Sequence, residues 1–271
     1  MKENIAIIGI SARFPEANNV KEFWENISSK KDSVRDLPET RKRELENALG
    51  QEVDFKFAKG GYLEEISFFE PKYFNISEEE AKYIDPQHRL IMELVDEAIY
   101  SSGCSLEEIN NKKVGVFIAS VENDYTKKAA WAPMAIVNGS EAALSGRISY
   151  HYNFNGPSLV FNTESSSAII ALHNACVSLQ NNECDYAVVG GARLHAYPPL
   201  LNGIIENPLF SNDQKVFSFD DRADGIIPGE GGGIVILKRE QEAVLDKNII
   251  YSLINKTVVN NNGNRSISLS S

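Results

Sequence analysis

Three consecutive serines, Ser165, Ser166 and Ser167, lie between the apolar run LVF at 159–161 and the apolar segment AIIALH at 168–173. A strand that turns into a helix at this point would display one small hydroxyl, Ser165, at the opening of the helix. That is where a nucleophile would sit, and the arrangement invites a serine-hydrolase-like reading. A serine hydroxyl has no accessible anion near neutrality and needs a positioned general base, usually histidine. The helix dipole contributes only about 0.3–1 kcal/mol, far short of ionising an alcohol. The plain alternative is that Ser165 is a helix N-cap. Glu164 beside it either opposes a developing anion or serves as a cap partner at the helix start.

Other side chains with chemical potential are scattered. Cys104, Cys176 and Cys184 have neither metal-ligand spacing nor an even count, which argues against a zinc site and a disulfide framework. Cys176 lies eleven residues beyond Ser165 on the same expected helix, three turns away at about 1.5 Å per residue, and is read as a buried hydrophobe. Gly190-Gly191 and Gly231-Gly232-Gly233 match neither GxxxxGK[ST] nor GxGxxG, so close backbone packing is expected there instead of a phosphate loop. Asp220, Asp221, Asp224 and Glu230 could suggest a cation site, but their spacing fits no EF-hand loop and they are read as structural. The sequence points to no cofactor and no metal.

These groups must be positioned by elements that the hydrophobic pattern places along the chain. Residues 4–9 (NIAIIG), 113–119 (KVGVFIA), 159–162 (LVFN), 185–192 (DYAVVGGA), 230–240 (EGGGIVILKRE) and the following IIYSLINKTVV read as strands. Helices are predicted after residue 15, after Asp85-Pro86 with Leu90, Ile91, Leu94 and Ile99 on one face, near 138–149, and over 165–181. Ser77 and Glu80 have capping-box spacing. Charge-rich residues 29–59 read as a surface excursion, 120–135 as a polar loop, and 260–264 as an Asn-rich tail. Continuous apolar strands alternating with helices predict a layered α/β fold with a sheet covered on both faces.

Composition narrows the partners. With 271 residues, 42% hydrophobic, the chain can bury a large core, and its net charge of −11 advertises no basic face for nucleic acid. No apolar run approaches the roughly 20 residues that span a bilayer, and the N-terminus lacks a signal-peptide pattern, so the expectation is a cytoplasmic protein with no membrane partner.

Six ordered stretches carry a resemblance: IAIIGISARFP (5–15), GGYLEEISFFEPKYFNIS (60–77), DPQHRLIMELVDEA (85–98), VGVFIAS (114–120), NGSEAALSGRISYHYNFNGPS (138–158) and FDDRADGIIPGEGGG (219–233). Together with GPSLVFNTESSSAIIALH at 156–173 they resemble the β-ketoacyl synthases, whose usual reading at that turn is GPSxxVDTACSSSLxALH, and in particular the ketosynthase domains of modular polyketide synthases. The resemblance implies a thiolase-like fold, with residues 1–271 as the N-terminal half of a duplicated αβαβα architecture and the other half outside this sequence. It places the family's nucleophilic cysteine on Ser165, its alanine on Glu164, an aspartate on Asn162, and different residues at Gln214 and Val216. The family's two catalytic histidines belong to the other half. His88 and His173 fall on DPQ and ALH positions of the pattern, while His151 and His195 match nothing in it.

The function so implied is acyl transfer and condensation on carrier-protein thioesters in polyketide or fatty-acid assembly, with acyl carrier protein or its phosphopantetheine-bound acyl group as partner. Serine in place of cysteine makes condensation incompetence the expectation, because the chemistry depends on a thiolate. Decarboxylation of a malonyl carrier thioester, complemented by a second half, is one alternative, since it needs oxyanion support and no nucleophile. A non-catalytic dimerisation or scaffold module is another. A homodimer, or a heteromer with a second ketosynthase half, is expected, and the resemblance implies a contact through residues such as 158–162.

Overall fold

In this computed structural model, residues 3–49, 52, 57–121, 140–196, 210–211, 213–261 and 263 are described. Their strands are β1 (Ile5–Arg13), β2 (Val114–Ala119), β3 (Ser158–Phe161), β4 (Tyr186–Arg193), β5 (Gly231–Arg239) and β6 (Ser252–Ile254). They form one mixed sheet in the order β3-β2-β4-β5-β1-β6. β2 runs parallel to β3 and β4, whereas β4 with β5, β5 with β1, and β1 with β6 are antiparallel.

Every residue of β2 is buried, which follows from a sheet covered on both faces. On one face Val114, Val116, Ile118, Tyr186, Val188, Ile234 and Ile236 join a core with Leu94, Val95, Ala98, Leu144 and Ile148. On the other, Phe117, Ala187, Val189 and Leu237 pack with Ala171, Ala175, Cys176 and Leu179. The period of two along each strand sends alternate apolar side chains to opposite layers. The helices of the first layer are α4 (Pro86–Ser101) and α6 (Glu141–Tyr152), and the second is α7 (Ser167–Gln180).

The Asp85-Pro86 signal works as the sequence predicts. Asp85 caps α4 by accepting from the Gln87 N–H at 2.7 Å, and Pro86 occupies the first turn, where no N–H is required. Ser77 caps α3 (Glu78–Ala81), but the capping box is only half made: Glu80 turns its carboxylate to Arg147 at 2.9 Å instead of back to the cap. Two short helices escaped the sequence reading, α5 (Leu106–Asn110) and α8 (Glu240–Leu245). The first carries a complete Ser105/Glu108 capping box, a signal present in SLEE.

Three expectations are corrected. β1 continues past Gly9 to Arg13, because antiparallel pairing with β5 satisfies its backbone through the polar end of the segment. The charge-rich excursion at 29–59 is only partly superficial: besides α1 (Val20–Ser28) before it, it contains α2 (Glu39–Leu49), which buries Arg41 and Leu45. The helix expected near 138–149 runs from Glu141 on to Tyr152, where Asn153 closes it in the left-handed conformation. Most of the polar loop at 120–135, and Asn262 and Asn264 of the Asn-rich tail, lie outside the described residues.

Candidate active site

The turn from β3 into α7 is held by two of the three serines, and Ser165 is not one of them. Ser167 receives the Thr163 N–H on its Oγ at 2.8 Å and donates to the Glu164 carbonyl at 2.6 Å. Ser166, the N-cap residue, donates to the Thr163 carbonyl and shares a 2.9 Å contact with its Oγ1. Among the described residues no hydrogen bond reaches the Ser165 hydroxyl, and the residue is exposed. The N-cap reading of Ser165 is therefore corrected, because helical geometry begins one residue later and the turn is already satisfied by its neighbours.

Glu164 supplies the sharp bend, with φ at +53°, in the left-handed region where a non-glycine residue is uncommon. Its carbonyl, not its carboxylate, serves the helix start, accepting from the Ser167 N–H at 3.1 Å as well as from its Oγ. The expected role of its side chain as a cap partner is thus not what the structure shows. Asn162, one residue past β3, directs its amide to the Glu141 carboxylate at 3.3 and 3.4 Å, a contact that an aspartate there would turn into repulsion. Gln214 accepts the Lys59 N–H at 3.0 Å, while Val216 is exposed.

Ser165 and Glu164 open onto a pocket of about 700 Å³ whose floor is made by the glycines of β4 and β5. Gly190 has φ at +157°, and a Cβ there would lie 2.0 Å from the Gly233 carbonyl oxygen. Only a glycine lets the two strands approach at this point. Ala119, Phe210, Ile226 and Ile227 give the walls an apolar character.

The pocket also contains a residue that no sequence motif singled out. His195, just beyond β4, is 8% exposed and lines the pocket with Ser165. Burial holds its pKa below the ordinary imidazole value, opposed by the nearby Glu230 carboxylate and a hydrogen bond with the Gly229 backbone. Its Nδ1 is buried without a partner, and no hydrogen bond joins the ring to Ser165 among the described residues. The strand end that carries it is fixed from two sides. Gln87 of α4 accepts the Leu194 N–H at 3.0 Å, and Glu230 accepts the His195 N–H at 2.8 Å.

The remaining candidates are kept apart from the pocket. Burial pushes the thiols of Cys176 and Cys184 up to about 11, which makes both poor nucleophiles. His88 is buried in α4, His151 lies among Tyr73, Phe74 and Tyr152, and His173 meets the Thr257 hydroxyl at 2.8 Å. Asp220 is paired with Arg222, and Glu230 is enclosed by donors. Among the described residues no group of three or more His, Cys, Asp or Glu side chains converges as metal ligands, and no helix is long and apolar enough to cross a membrane.

Residues 2–243 fit the family described as beta-ketoacyl synthase, N-terminal domain. The chain is 34% identical over 278 aligned positions to polyketide synthase PksL of Bacillus subtilis, covering 96% of this chain and 6% of that protein. It is 37% identical to 5-methylorsellinic acid synthase of Aspergillus terreus, covering 97% and 10%. Among solved structures, the ketosynthase from module 1 of the bacillaene synthase of Bacillus amyloliquefaciens superposes with a TM-score of 0.83 at 33% identity, covering 98% of this chain and 47% of that one. The chain thus spans less than half of that solved ketosynthase and a small fraction of the curated relatives. The mixed sheet with its covering helices is a thiolase-like α/β fold, and the chain is a member of the β-ketoacyl synthase family, matching its N-terminal domain and related to the ketosynthases of polyketide synthases.

Proposed function

We propose that this chain, as one N-terminal ketosynthase domain over residues 1–271, binds acyl groups presented as carrier-protein thioesters, and that Ser165 marks the acyl position without sustaining condensation. The observation that carries this reading is the Ser165 hydroxyl itself, exposed at the pocket and released from any duty in the turn. A cysteine so placed would carry a useful thiolate fraction. An alcohol needs a base in contact, and the buried Nδ1 of His195 makes no such contact. The partner is an acyl carrier protein or its phosphopantetheine-bound acyl group.

Intact-mass measurement after incubation with an acetyl carrier thioester tests the reading. The expected result is binding without a covalent acyl ester on the native chain, and a covalent acyl adduct on Ser165→Cys. An acyl ester on native Ser165 would overturn it. Acetyl product from a malonyl carrier thioester would favour decarboxylation instead.

Self-association is part of the same proposal. Among the described residues β3 is an edge strand of the sheet, with Ser158 exposed and Leu159 46% exposed, and α7 presents Ile169 at 59%. An unpaired strand edge with apolar neighbours is a template for pairing with a second chain. Sedimentation analysis is expected to show a dimer or larger species, and a stable monomer at micromolar concentration counts against it.

A further inference from the structure

We propose that the Glu164 carboxylate makes the Ser165 pocket select against negatively charged acyl groups, so that the acyl chain it accepts is neutral or cationic. This rests on the reading of the pocket as an acyl site. Glu164 and Ser165 are adjacent, and both line the same cavity of about 700 Å³. The backbone that carries Glu164 is held in place: φ is +53°, and the carbonyl accepts from both the N–H and the hydroxyl of Ser167. The residue is exposed, and among the described residues no hydrogen bond or ion pair occupies its carboxylate.

Among the described residues that line the pocket, His195 and Arg193 are the groups that can carry positive charge. His195 lines the pocket but is held toward its neutral form by burial. Arg193, at the end of β4, is engaged in an interaction of its own. The other lining groups are mainly small or apolar, so they offer little polarisable shielding. A second carboxylate, such as that of a malonyl group bound beside Ser165, would share the pocket with a like charge. At about 5 Å and an effective dielectric constant between roughly 20 and 80, that repulsion lowers binding by about four- to three-hundredfold. An acyl group bearing an ammonium, such as a glycyl thioester, gains from the same geometry.

The test compares acetyl, malonyl and glycyl pantetheine thioesters binding to the native chain, to Glu164→Gln and to Glu25→Gln. Glu25 lies on the exposed face of α1 beside Lys21 and does not line the pocket, so its replacement removes the same charge from outside it. The expected result is that Glu164→Gln raises malonyl affinity relative to acetyl by about tenfold and lowers glycyl relative to acetyl. Glu25→Gln is expected to leave both ratios within twofold of the native chain. Ratios unmoved by Glu164→Gln, or moved equally by Glu25→Gln, would overturn the proposal while leaving the acyl-site reading intact. Failure of all three thioesters to bind would overturn the acyl-site reading, and the selectivity with it.

Discussion

The guanidinium of Arg41 grips the carboxylate of Glu230 through two bonds, at 2.7 and 3.1 Å, with 1% and 0% of the two side chains exposed. The pair joins α2 to the residue that precedes β5, although the partners are far apart in sequence. The Glu230 oxygens also accept the backbone N–H groups of Leu63 and His195, so four donors converge on one carboxylate. This satisfies the condition under which a buried charge is tolerated. It also ties the pocket floor to a segment that looks peripheral in sequence.

Removing one member of such a pair leaves a charge buried without its counterion, which costs about 3–5 kcal/mol. Because two backbone donors remain on Glu230, Arg41→Met is expected near the lower end, about 3 kcal/mol. The corresponding fall in thermal midpoint is roughly 2–4 °C per kcal/mol for a domain of this size. Calorimetry of the two proteins measures it, and a change below about 1 kcal/mol would show that the pair is not buried in solution.

The same pair shows where sequence reading stops. The apolar periods of β2 and α4, and the Asp85-Pro86 start, are local signals, and they place the sheet and its covering layers correctly. A charged segment such as α2 carries no local sign that one of its arginines is enclosed, because the compensation comes from Glu230 across the fold. The serine triplet is similar. Composition cannot decide which hydroxyl caps the helix, since the answer depends on the left-handed bend at Glu164. His195 belongs to no motif, and only the end of β4 brings it to the pocket.

Gly190 offers a sharper test of the pocket floor. A methyl group there meets the Gly233 carbonyl oxygen at 2.0 Å and the Ile234 Cα at 2.9 Å, both on the neighbouring strand and unable to swing aside. Backbone strain alone costs about 1–3 kcal/mol, and overpacking adds about 1–3 more. Gly190→Ala is expected to lose at least about 3 kcal/mol in urea unfolding, or to fail to accumulate as soluble protein. A folded variant of native stability would disprove the close approach of β4 and β5.

His88 gives a pH dependence with a definite sign. Burial lowers its pKa to about 4, assisted by the nearby Arg147 charge, whereas an unfolded histidine titrates near 6.5. Between these values the unfolded chain binds more protons than the folded one, so stability falls as the pH falls. The contribution is fully present above about pH 6.5 and decreases by up to about 3 kcal/mol as the pH approaches 4. His88→Gln removes the titrating group. The loss of stability between pH 7 and pH 4.5, measured by urea unfolding, is expected to be about 2–3 kcal/mol smaller in the variant. Equal losses in the two proteins would mean that His88 is not buried as a neutral ring.

Ser165→Cys tests the exposure of the elbow without any substrate. At pH 7.5 an ordinary thiol with a pKa near 8.5 is about one-tenth thiolate, and a thiol near 11 is thiolate at only a few parts in ten thousand. Cys176 and Cys184 belong to the second class, because burial pushes both up to about 11. The introduced cysteine is therefore expected to react with iodoacetamide roughly a few hundred times faster than either, as read by peptide mass spectrometry. The neighbouring Glu164 disfavours a second negative charge, so the double variant Glu164→Gln/Ser165→Cys is expected to react faster still at the same pH. A rate at position 165 no greater than that of Cys176 would place the side chain inside the turn and remove the basis for reading it as the acyl position.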